Sequence, residues 1–264
     1  MLLVSVRSRP ASVGSVSDGY NESGCDFDCG DLRVSIQTGP LFGFRLKIGD
    51  WIVAGESCLP LNEGDASSLE KGILDGVSLD LLLGDRMLVL VLIDPLKRVV
   101  TIAHSISSWR PCYVSVRPGF FAASTSVHGL KEAGYEVVWD PACTPEYLLY
   151  RFVSPSRSIL RGVRKLAGGQ LLVVDINGGQ ICKDHRWHWP EREGLDPKAD
   201  ITNLLRLRVE EWLQRFPNAG ILLSGGLDSS LLVALARAVR PDVPTFSTSF
   251  SFANSDDGEN QYAL

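Results

Sequence analysis

The residues best suited to chemistry lie in one short stretch, residues 224–230, which reads Ser-Gly-Gly-Leu-Asp-Ser-Ser. An apolar run at 221–223 precedes it and an apolar, helix-forming segment follows it, so the pattern predicts a buried strand, a loop and a helix. Such a loop points backbone N–H groups and the positive end of the helix dipole at one small volume. The stretch is therefore a candidate anion-binding site.

Each residue type in this loop suits a nucleotide phosphate. Gly225 and Gly226 let the backbone approach phosphate oxygens that a Cβ atom would hold away. Asp228 is a hard oxygen ligand that suits the Mg²⁺ accompanying a nucleotide. Serines add hydroxyl donors: Ser224, Ser229 and Ser230. The loop has no Lys in the Walker position, so a Walker-type P-loop is excluded, and the plain alternative is a glycine-rich turn.

Residues 224–230 resemble the pyrophosphate loop (PP-loop) of the ATP pyrophosphatase superfamily, and their sequence is most similar to that of the asparagine synthetase branch. The resemblance implies that ATP is cleaved between its α- and β-phosphates and that AMP is transferred to a carboxylate substrate, aspartate-like or a peptide. It implies ATP and Mg²⁺ as cofactors, with Asp228 as the metal ligand. It also places Leu222 and Thr248, at two strand ends, beside the adenine, and it assigns no catalytic residue to this chain.

The composition suits two globular domains, with 264 residues of which 45% are hydrophobic. The net charge is −5, from 26 basic and 31 acidic residues without a basic run, so no nucleic-acid partner is predicted. Charged residues interrupt the most apolar stretch, 79–96, which is predicted to be core and not a membrane span. The six scattered cysteines favour free thiols in a cytoplasmic protein.

The first predicted domain covers residues 1–190 and ends near a polar linker at 189–197. Residues 8–31 are rich in Ser, Gly, Asp and Asn, which predicts loop or disorder. Short strand-like segments follow at 32–36, 41–48, 51–54, 87–93, 99–103, 113–116, 120–123 and 171–176. One helix is predicted at 66–74. A second is predicted to begin after Thr144 as its N-cap, with Pro145 at the first helical position. Asn177-Gly178 predicts a hairpin turn. The fold class is therefore α+β and mainly antiparallel.

The second predicted domain covers residues 200–264. It begins with a helix at 200–216 whose apolar residues share one face: Ile201, Leu204, Leu205, Val209, Trp212, Leu213 and Phe216. A strand at 220–223, the loop, a helix at 229–239 and a strand at 245–250 then form a βαβ unit. This is the start of a Rossmann-like α/β domain, in which ligands bind at the carboxyl ends of the strands.

The first domain bears a fainter resemblance to the Ntn-type glutaminase domain of the same synthetases. A hairpin strand of that domain resembles residues 86–94. Its "Pro-Leu-Tyr" step resembles residues 110–113, and its "Pro-Ala-Gly" segment resembles residues 167–171. The family's nucleophile is a Cys directly after the initiator Met, where this chain has Leu2. The family's Asn-Gly-Glu segment is replaced by residues 55–58, Gly-Glu-Ser-Cys. We therefore expect a degenerate scaffold without glutaminase activity, unless propeptide removal exposes Cys25 or Cys29.

Other functions stay open at this stage. Family members without the Cys include β-lactam synthetases and lasso-peptide cyclases, which use an amine within the substrate. A non-enzymatic alternative is an ATP-binding remnant, or half of a split ligase whose partner chain supplies the rest, since residues 256–263 resemble only the start of the family's next helix. We interpret the segment with His185 and His188 as the end of a hairpin and not as a metal site. No Ser or Cys nucleophile motif accompanies His104 or His128, so a hydrolytic triad is not predicted.

Overall fold

The computed structural model describes residues 1–8, 19–21, 24–29, 32–38, 43–57, 63–75, 87–107, 110–154, 157–187 and 201–248. The chain divides into two compact units, Met1–Pro190 and Glu191–Leu264. Unit 1 is dominated by antiparallel strands, and the described part of unit 2 contains two helices and a short parallel sheet.

Unit 1 contains two antiparallel sheets. The first has the order β11-β9-β10-β1-β4-β3-β2 and consists of β1 Leu2–Ser8, β2 Gly19–Asn21, β3 Gly24–Cys29, β4 Leu32–Thr38, β9 Cys112–Arg117, β10 Phe120–Ser124 and β11 Arg164–Leu166. The second has the order β13-β12-β8-β7-β6-β5 and consists of β5 Gly43–Ile48, β6 Trp51–Ser57, β7 Leu88–Asp94, β8 Val99–His104, β12 Gln170–Asp175 and β13 Gln180–Arg186. The predicted antiparallel α+β class is confirmed for this unit.

The two sheets pack face to face around one hydrophobic cluster. Successive side chains of a strand point to opposite faces, so alternate residues of each central strand enter this cluster. In β1 these are Leu2, Val4 and Val6, and in β7 they are Val89, Val91 and Ile93. Burying one such aliphatic side chain contributes about 1.5–3 kcal/mol to the free energy of unfolding. The cluster between the sheets is therefore the main source of stability in unit 1.

Helices cover parts of the outer faces. Leu130 of helix α2 Val127–Glu132 joins a cluster with Leu3 of β1 on the outside of the first sheet. Ile73 of helix α1 Glu63–Leu74 packs against a cluster on the outside of the second sheet. Because β7 is covered on both faces, its residues 88–94 are all buried, and residues 88–93 form a continuous apolar run. The order of layers is helix, sheet, sheet, helix.

Several local predictions for unit 1 are wrong. Residues 8–31 were expected to form loop, yet β2 and β3 lie within them, because pairing along β4 supplies backbone hydrogen bonds that this polar segment could not satisfy alone. Thr144 is the first residue of helix α3 Thr144–Tyr150 and not its N-cap, which is Cys143. A preceding 3₁₀ turn, Pro141–Cys143, is capped by the Asp140 side chain, so the turn begins earlier than the Thr-Pro signal indicates.

Unit 2 contains helix α4 Ile201–Arg215, strand β14 Ile221–Leu222, helix α5 Leu227–Val239 and strand β15 Thr245–Phe246. The two strands pair in parallel, with Ile221 opposite Thr245 and Leu222 opposite Phe246. The βαβ order follows the sequence prediction, although residues 249–264, including the end of the second predicted strand and the segment at 256–263, lie outside the described residues. The same is true of the whole predicted linker at 189–197.

The expectation of a buried strand is wrong for unit 2. Leu222 is 77% exposed, and Ile201, Leu204 and Trp212 of the predicted apolar face of α4 are also exposed. The small core of this unit contains Leu213, Ala236 and Val243. Helical periodicity identified the helix correctly, but it could not indicate how much of the apolar face would be covered. None of the described helices is long and apolar enough to cross a membrane.

Candidate functional site

The candidate loop connects the end of β14 to the first turn of α5. Gly225 has a φ of 85°, a left-handed backbone conformation that glycine adopts without the steric cost of a Cβ atom. Gly226 is the N-cap of α5 with extended backbone, so the free N–H groups of the first helical turn face the loop. The predicted order of strand, loop and helix is thus present, and the helix begins at Leu227, two residues before its predicted start.

The predicted hydroxyl donors are brought together inside the loop. The Ser224 and Ser229 hydroxyl oxygens lie 3.0 Å apart. The Ser224 N–H donates to the Ser229 oxygen at 3.2 Å, and the Gly226 N–H donates to the Ser224 oxygen at 3.3 Å. Ser229 in turn donates to the carbonyl of Gly226 at 3.1 Å. These bonds close the loop on itself and preorganise it.

The remaining predicted site residues surround this closed loop. Asp228 is exposed in the first turn of α5, where the helix dipole favours a carboxylate. Ser230 is exposed, and its N–H donates to the Gly226 carbonyl at 3.1 Å as the first full helical bond. Leu222 and Thr248 are exposed near the ends of β14 and β15. Mg²⁺ is commonly held by one or two carboxylates together with substrate phosphates, so a single Asp beside this loop fits the ion.

One residue of this region was missed by the sequence analysis. Ser247 directly follows β15, and its hydroxyl donates to the carbonyl of Leu223 at 2.7 Å. Leu223 is the last residue before the loop, and its N–H donates to the Phe246 carbonyl at 2.8 Å. Its position in the sequence could have identified it, because a hydroxyl residue at the carboxyl end of β15 lies beside the loop that follows β14.

Cationic side chains of α5 lie away from the loop. Arg237 is in the last turn of the helix, about 15 Å along the axis from its first residue at 1.5 Å per residue. Arg240, at the C-cap, donates to the carbonyls of Pro217 and Ala219. Both guanidinium groups therefore belong to the far end of α5, where Arg240 holds the chain before β14, and neither neutralises charge at the loop.

In unit 1, Leu2 lies at the position where the sequence resemblance predicts a cysteine nucleophile. The Leu2 side chain is 0% exposed within the cluster between the sheets. Its N–H donates to the Thr125 hydroxyl at 2.9 Å, and its carbonyl accepts from the Ser124 hydroxyl at 2.8 Å. The start of β1 is thus fixed by Ser124 at the end of β10 and by Thr125 directly after it, and an aliphatic group occupies the position where the resemblance predicts a thiol.

A buried carboxylate lies beside this strand start. Glu56, which the sequence analysis placed in the altered Asn-Gly-Glu segment, is 1% exposed. One of its oxygens accepts from the Thr125 hydroxyl at 2.6 Å, and the other lies 3.3 Å from both the Met1 nitrogen and the Arg110 Nε. Burial, and then the negative charge of Glu56, raise the pKa of the Cys112 thiol. Cys112 is therefore held as an unreactive thiol.

Cys25 and Cys29 both lie within β3, which pairs with β4 in the first sheet. Removal of a propeptide up to either cysteine would also remove β1, a strand between β10 and β4 that contributes Leu2, Val4 and Val6 to the core. A terminal cysteine nucleophile would thus require loss of the strand that joins the two halves of this sheet.

The histidines that the structure describes do not assemble a catalytic group. His185 is exposed on β13, and His188 lies outside the described residues. His104 is buried with its ring nitrogens near the carbonyls of Ser105 and Arg110, at 3.1 and 2.9 Å. His128 pairs with Glu132 on the surface of α2. Among the described residues, no three His, Cys, Asp or Glu side chains are grouped as metal ligands.

Comparison with protein families matches residues 200–264 to the family described as asparagine synthase. Three curated proteins from Mycobacterium bovis and Mycobacterium tuberculosis, each named "Putative asparagine synthetase [glutamine-hydrolyzing]", are 22% identical to the chain over 233 residues. These matches support the asparagine synthetase family. The alignment includes 83% of this chain and 35% of each relative, so the chain spans about a third of the length of these asparagine synthetases.

Solved structures were also compared with the chain. A glutamine phosphoribosylpyrophosphate amidotransferase from B. subtilis, complexed with ADP and GMP, aligns with a TM-score of 0.36 and 9% identity over 100% of this chain and 64% of that chain. A structure described as the allosteric regulatory enzyme of purine biosynthesis aligns with a TM-score of 0.34 and 9% identity, over the same shares of the two chains. The similarity of this chain to asparagine synthetases comes from the sequence matches.

Proposed function

We propose that this chain belongs to an asparagine-synthetase-like, ATP-dependent ligase that activates a carboxylate by AMP transfer and then forms an amide bond. The observation that carries the proposal is the loop at 224–230, with its left-handed Gly225 and its paired serine hydroxyls, in the segment that matches the asparagine synthase family. Its free N–H groups suit the phosphates of ATP, and Asp228 suits the Mg²⁺ that neutralises part of their charge.

In the proposed reaction, a carboxylate oxygen of the substrate attacks the α-phosphorus of ATP and pyrophosphate leaves. An amine then attacks the acyl carbon, and AMP leaves with the C–O bond electrons. The role of this chain's loop is to bind the β- and γ-phosphates and to orient the α-phosphorus, which is a contribution of position and electrostatics. Leu222 and Thr248 are proposed to border the adenine, because Leu222 ends β14 and Thr248 lies two residues after β15, at the edge where the loop lies.

We propose further that the amine does not come from glutamine hydrolysed by unit 1. The buried Leu2 supports this, since it leaves an aliphatic group where the family places its nucleophile. The same observation favours a second candidate, a β-lactam or lasso-peptide type of synthetase, in which the substrate itself supplies the amine. Release of glutamate from glutamine by the purified chain, abolished by Cys25→Ser or Cys29→Ser, would contradict the absence of a glutaminase.

A non-enzymatic candidate is an ATP-binding remnant, or one half of a split ligase that needs a partner chain. The position of Arg237 and Arg240 at the far end of α5 favours it, because charge developing at the α-phosphorus needs cationic groups close by. ATP–pyrophosphate exchange with aspartate or candidate peptides distinguishes these cases. Exchange by the chain alone supports a complete ligase, and exchange only with an added gene product supports the split one.

The binding proposal is tested by Asp228→Ala. We expect this variant to lose Mg²⁺-dependent ATP affinity by at least about tenfold, equivalent to ~1.4 kcal/mol, because the carboxylate that holds the ion is gone. Calorimetric titration with ATP, in Mg²⁺ and in EDTA, is the measurement. Asp242→Ala is the matched control, since Asp242 is an exposed carboxylate in the turn after α5. Equal affinities in wild type and Asp228→Ala would remove Asp228 from the metal site.

A further inference from the structure

The peptide unit that joins Leu223 to Ser224 is fixed at both of its polar ends. Its carbonyl accepts from the Ser247 hydroxyl at 2.7 Å, and its N–H donates to the Ser229 hydroxyl oxygen at 3.2 Å. Ser229 continues the series by donating to the Gly226 carbonyl at 3.1 Å. A line of hydrogen bonds thus runs from the end of β15, across the entrance of the loop, into the first turn of α5.

The orientation of this peptide matters for anion binding. A trans peptide is planar, and its carbonyl and N–H point in opposite directions, so fixing one fixes the other. If this peptide group flipped, the carbonyl of Leu223 would replace the Ser224 N–H on the loop side. A partially negative oxygen would then face the anion. The N–H of Ser224 would also leave Ser229, whose hydroxyl connects Ser224 to Gly226. Hydrogen bonds in such a series strengthen one another.

We propose that Ser247 is a positioning residue for the phosphate loop. It acts through the carbonyl of Leu223, and it keeps the entrance peptide in the orientation that points the Ser224 N–H toward the loop. This inference rests on the proposed function, since it concerns the same loop, and it assigns a role to a residue outside the 224–230 stretch. Its target is the pyrophosphate part of the ligand, which ATP and inorganic pyrophosphate share.

The test compares Ser247→Ala with Ser247→Thr in the full 264-residue chain. Calorimetry with Mg²⁺ measures the affinity for ATP and, separately, for inorganic pyrophosphate. We expect Ser247→Ala to weaken both by about fivefold, as the loss of one hydrogen bond predicts, and Ser247→Thr to restore both because it keeps the hydroxyl. Thr202→Ala, which removes an exposed hydroxyl from the first turn of α4, is the control and should bind as wild type does.

The outcomes separate this inference from the proposed function. If wild type binds and Ser247→Ala binds equally well, the positioning role is refuted while the nucleotide site stands. A loss for ATP with pyrophosphate unchanged also refutes it, because the hydroxyl would then contact the nucleoside. A lower melting temperature with unchanged affinities refutes it as well, since that result describes a purely structural residue. Wild type that binds neither ligand contradicts the proposed function and this inference together.

Discussion

At the residue scale, Glu56 shows how a buried charge is held by the groups around it. Its carboxylate is buried and is held by the Thr125 hydroxyl, with Arg110 and the Met1 nitrogen close by. Thr125 also binds the N–H of Leu2. A buried charge is tolerated only where such partners surround it, so the group ties β6, β1 and the segment before β9 into one arrangement.

We expect Glu56→Gln to lower the free energy of unfolding by about 1.5–3 kcal/mol, the usual contribution of a hydrogen bond to a charged group, because Glu56 is buried while Met1 and Arg110 beside it are partly exposed. The measurement is chemical denaturation followed by circular dichroism. Glu132→Gln removes a carboxylate from the surface pair with His128 and should cost no more than about 1 kcal/mol. Equal losses in the two variants would show that the buried carboxylate of Glu56 stabilises the fold no more than the surface carboxylate of Glu132 does.

His104 is a second residue whose burial has a measurable consequence. Burial lowers its pKa, although the carbonyls of Arg110 and Ser105 favour the charged form, and the positive charge of Lys165 lowers it further. The unfolded chain, with an ordinary histidine pKa of about 6.5, therefore binds the proton first as the pH falls. This contribution to stability is present above that pKa and is lost as the pH falls below it.

The corresponding variant is His104→Asn. Unfolding free energies of wild type and variant, measured from pH 8 to pH 5.5, should fall with decreasing pH more steeply in wild type, because only wild type must charge His104 on unfolding. The exposed His185 provides the comparison, and His185→Asn should keep the wild-type slope. A slope in His104→Asn as steep as in wild type would contradict the assigned cause.

At the scale of elements, the predictable features were those that local pattern determines. The apolar runs of β7 and β12 and the glycine turn before α5 have one reasonable interpretation, and the structure has these elements there. β3 could not be predicted, because Gly24–Cys29 is polar and becomes a strand only through its pairing with β4. The hydroxyl bonds of the loop could not be predicted either, since Ser224 and Ser229 meet only after the chain turns.

The β12–β13 hairpin allows a test of backbone geometry. Gly179 has a φ of 61°, and a Cβ atom built there would lie 2.2 Å from the Pro118 nitrogen and 2.3 Å from the Arg117 carbonyl carbon. Gly49 has a φ of 59° with no atom within 4 Å of its Cβ position. Both glycines therefore have left-handed backbone, and only Gly179 also has a steric contact with another element.

We expect Gly49→Ala to lower the free energy of unfolding by about 1 kcal/mol, the cost of a left-handed alanine. Gly179→Ala should cost at least about 2 kcal/mol more, because the backbone at Pro118 must move. Thermal unfolding of both variants gives the comparison. If the two variants were equally stable, the close approach between the hairpin and the turn after β9 would add nothing to the destabilisation caused by Gly179→Ala.

At the scale of the whole molecule, the two units differ in how well they cover their apolar residues. Unit 1 encloses its main cluster between two sheets, whereas unit 2 has a core around Leu213, Ala236 and Val243. Its parallel strands carry exposed apolar side chains, Leu222 at 77% and Phe246 at 58%, directly opposite each other in the pair. Parallel sheets are normally covered on both faces, so this surface resembles an interface more than a finished exterior.

We therefore expect the chain to associate as its concentration rises, and the double variant Leu222→Ser, Phe246→Ser to reduce that association. Exposed neighbouring apolar groups gain free energy when a second surface removes them from water, at about 25 cal/mol per Å². Sedimentation velocity over a hundredfold concentration range is the measurement. Leu96→Ser is the matched control, because Leu96 is 78% exposed in the turn between β7 and β8 of unit 1. If wild type sediments as one species at every concentration, or if Leu96→Ser acts as strongly as the double variant, the Leu222–Phe246 surface is not the cause.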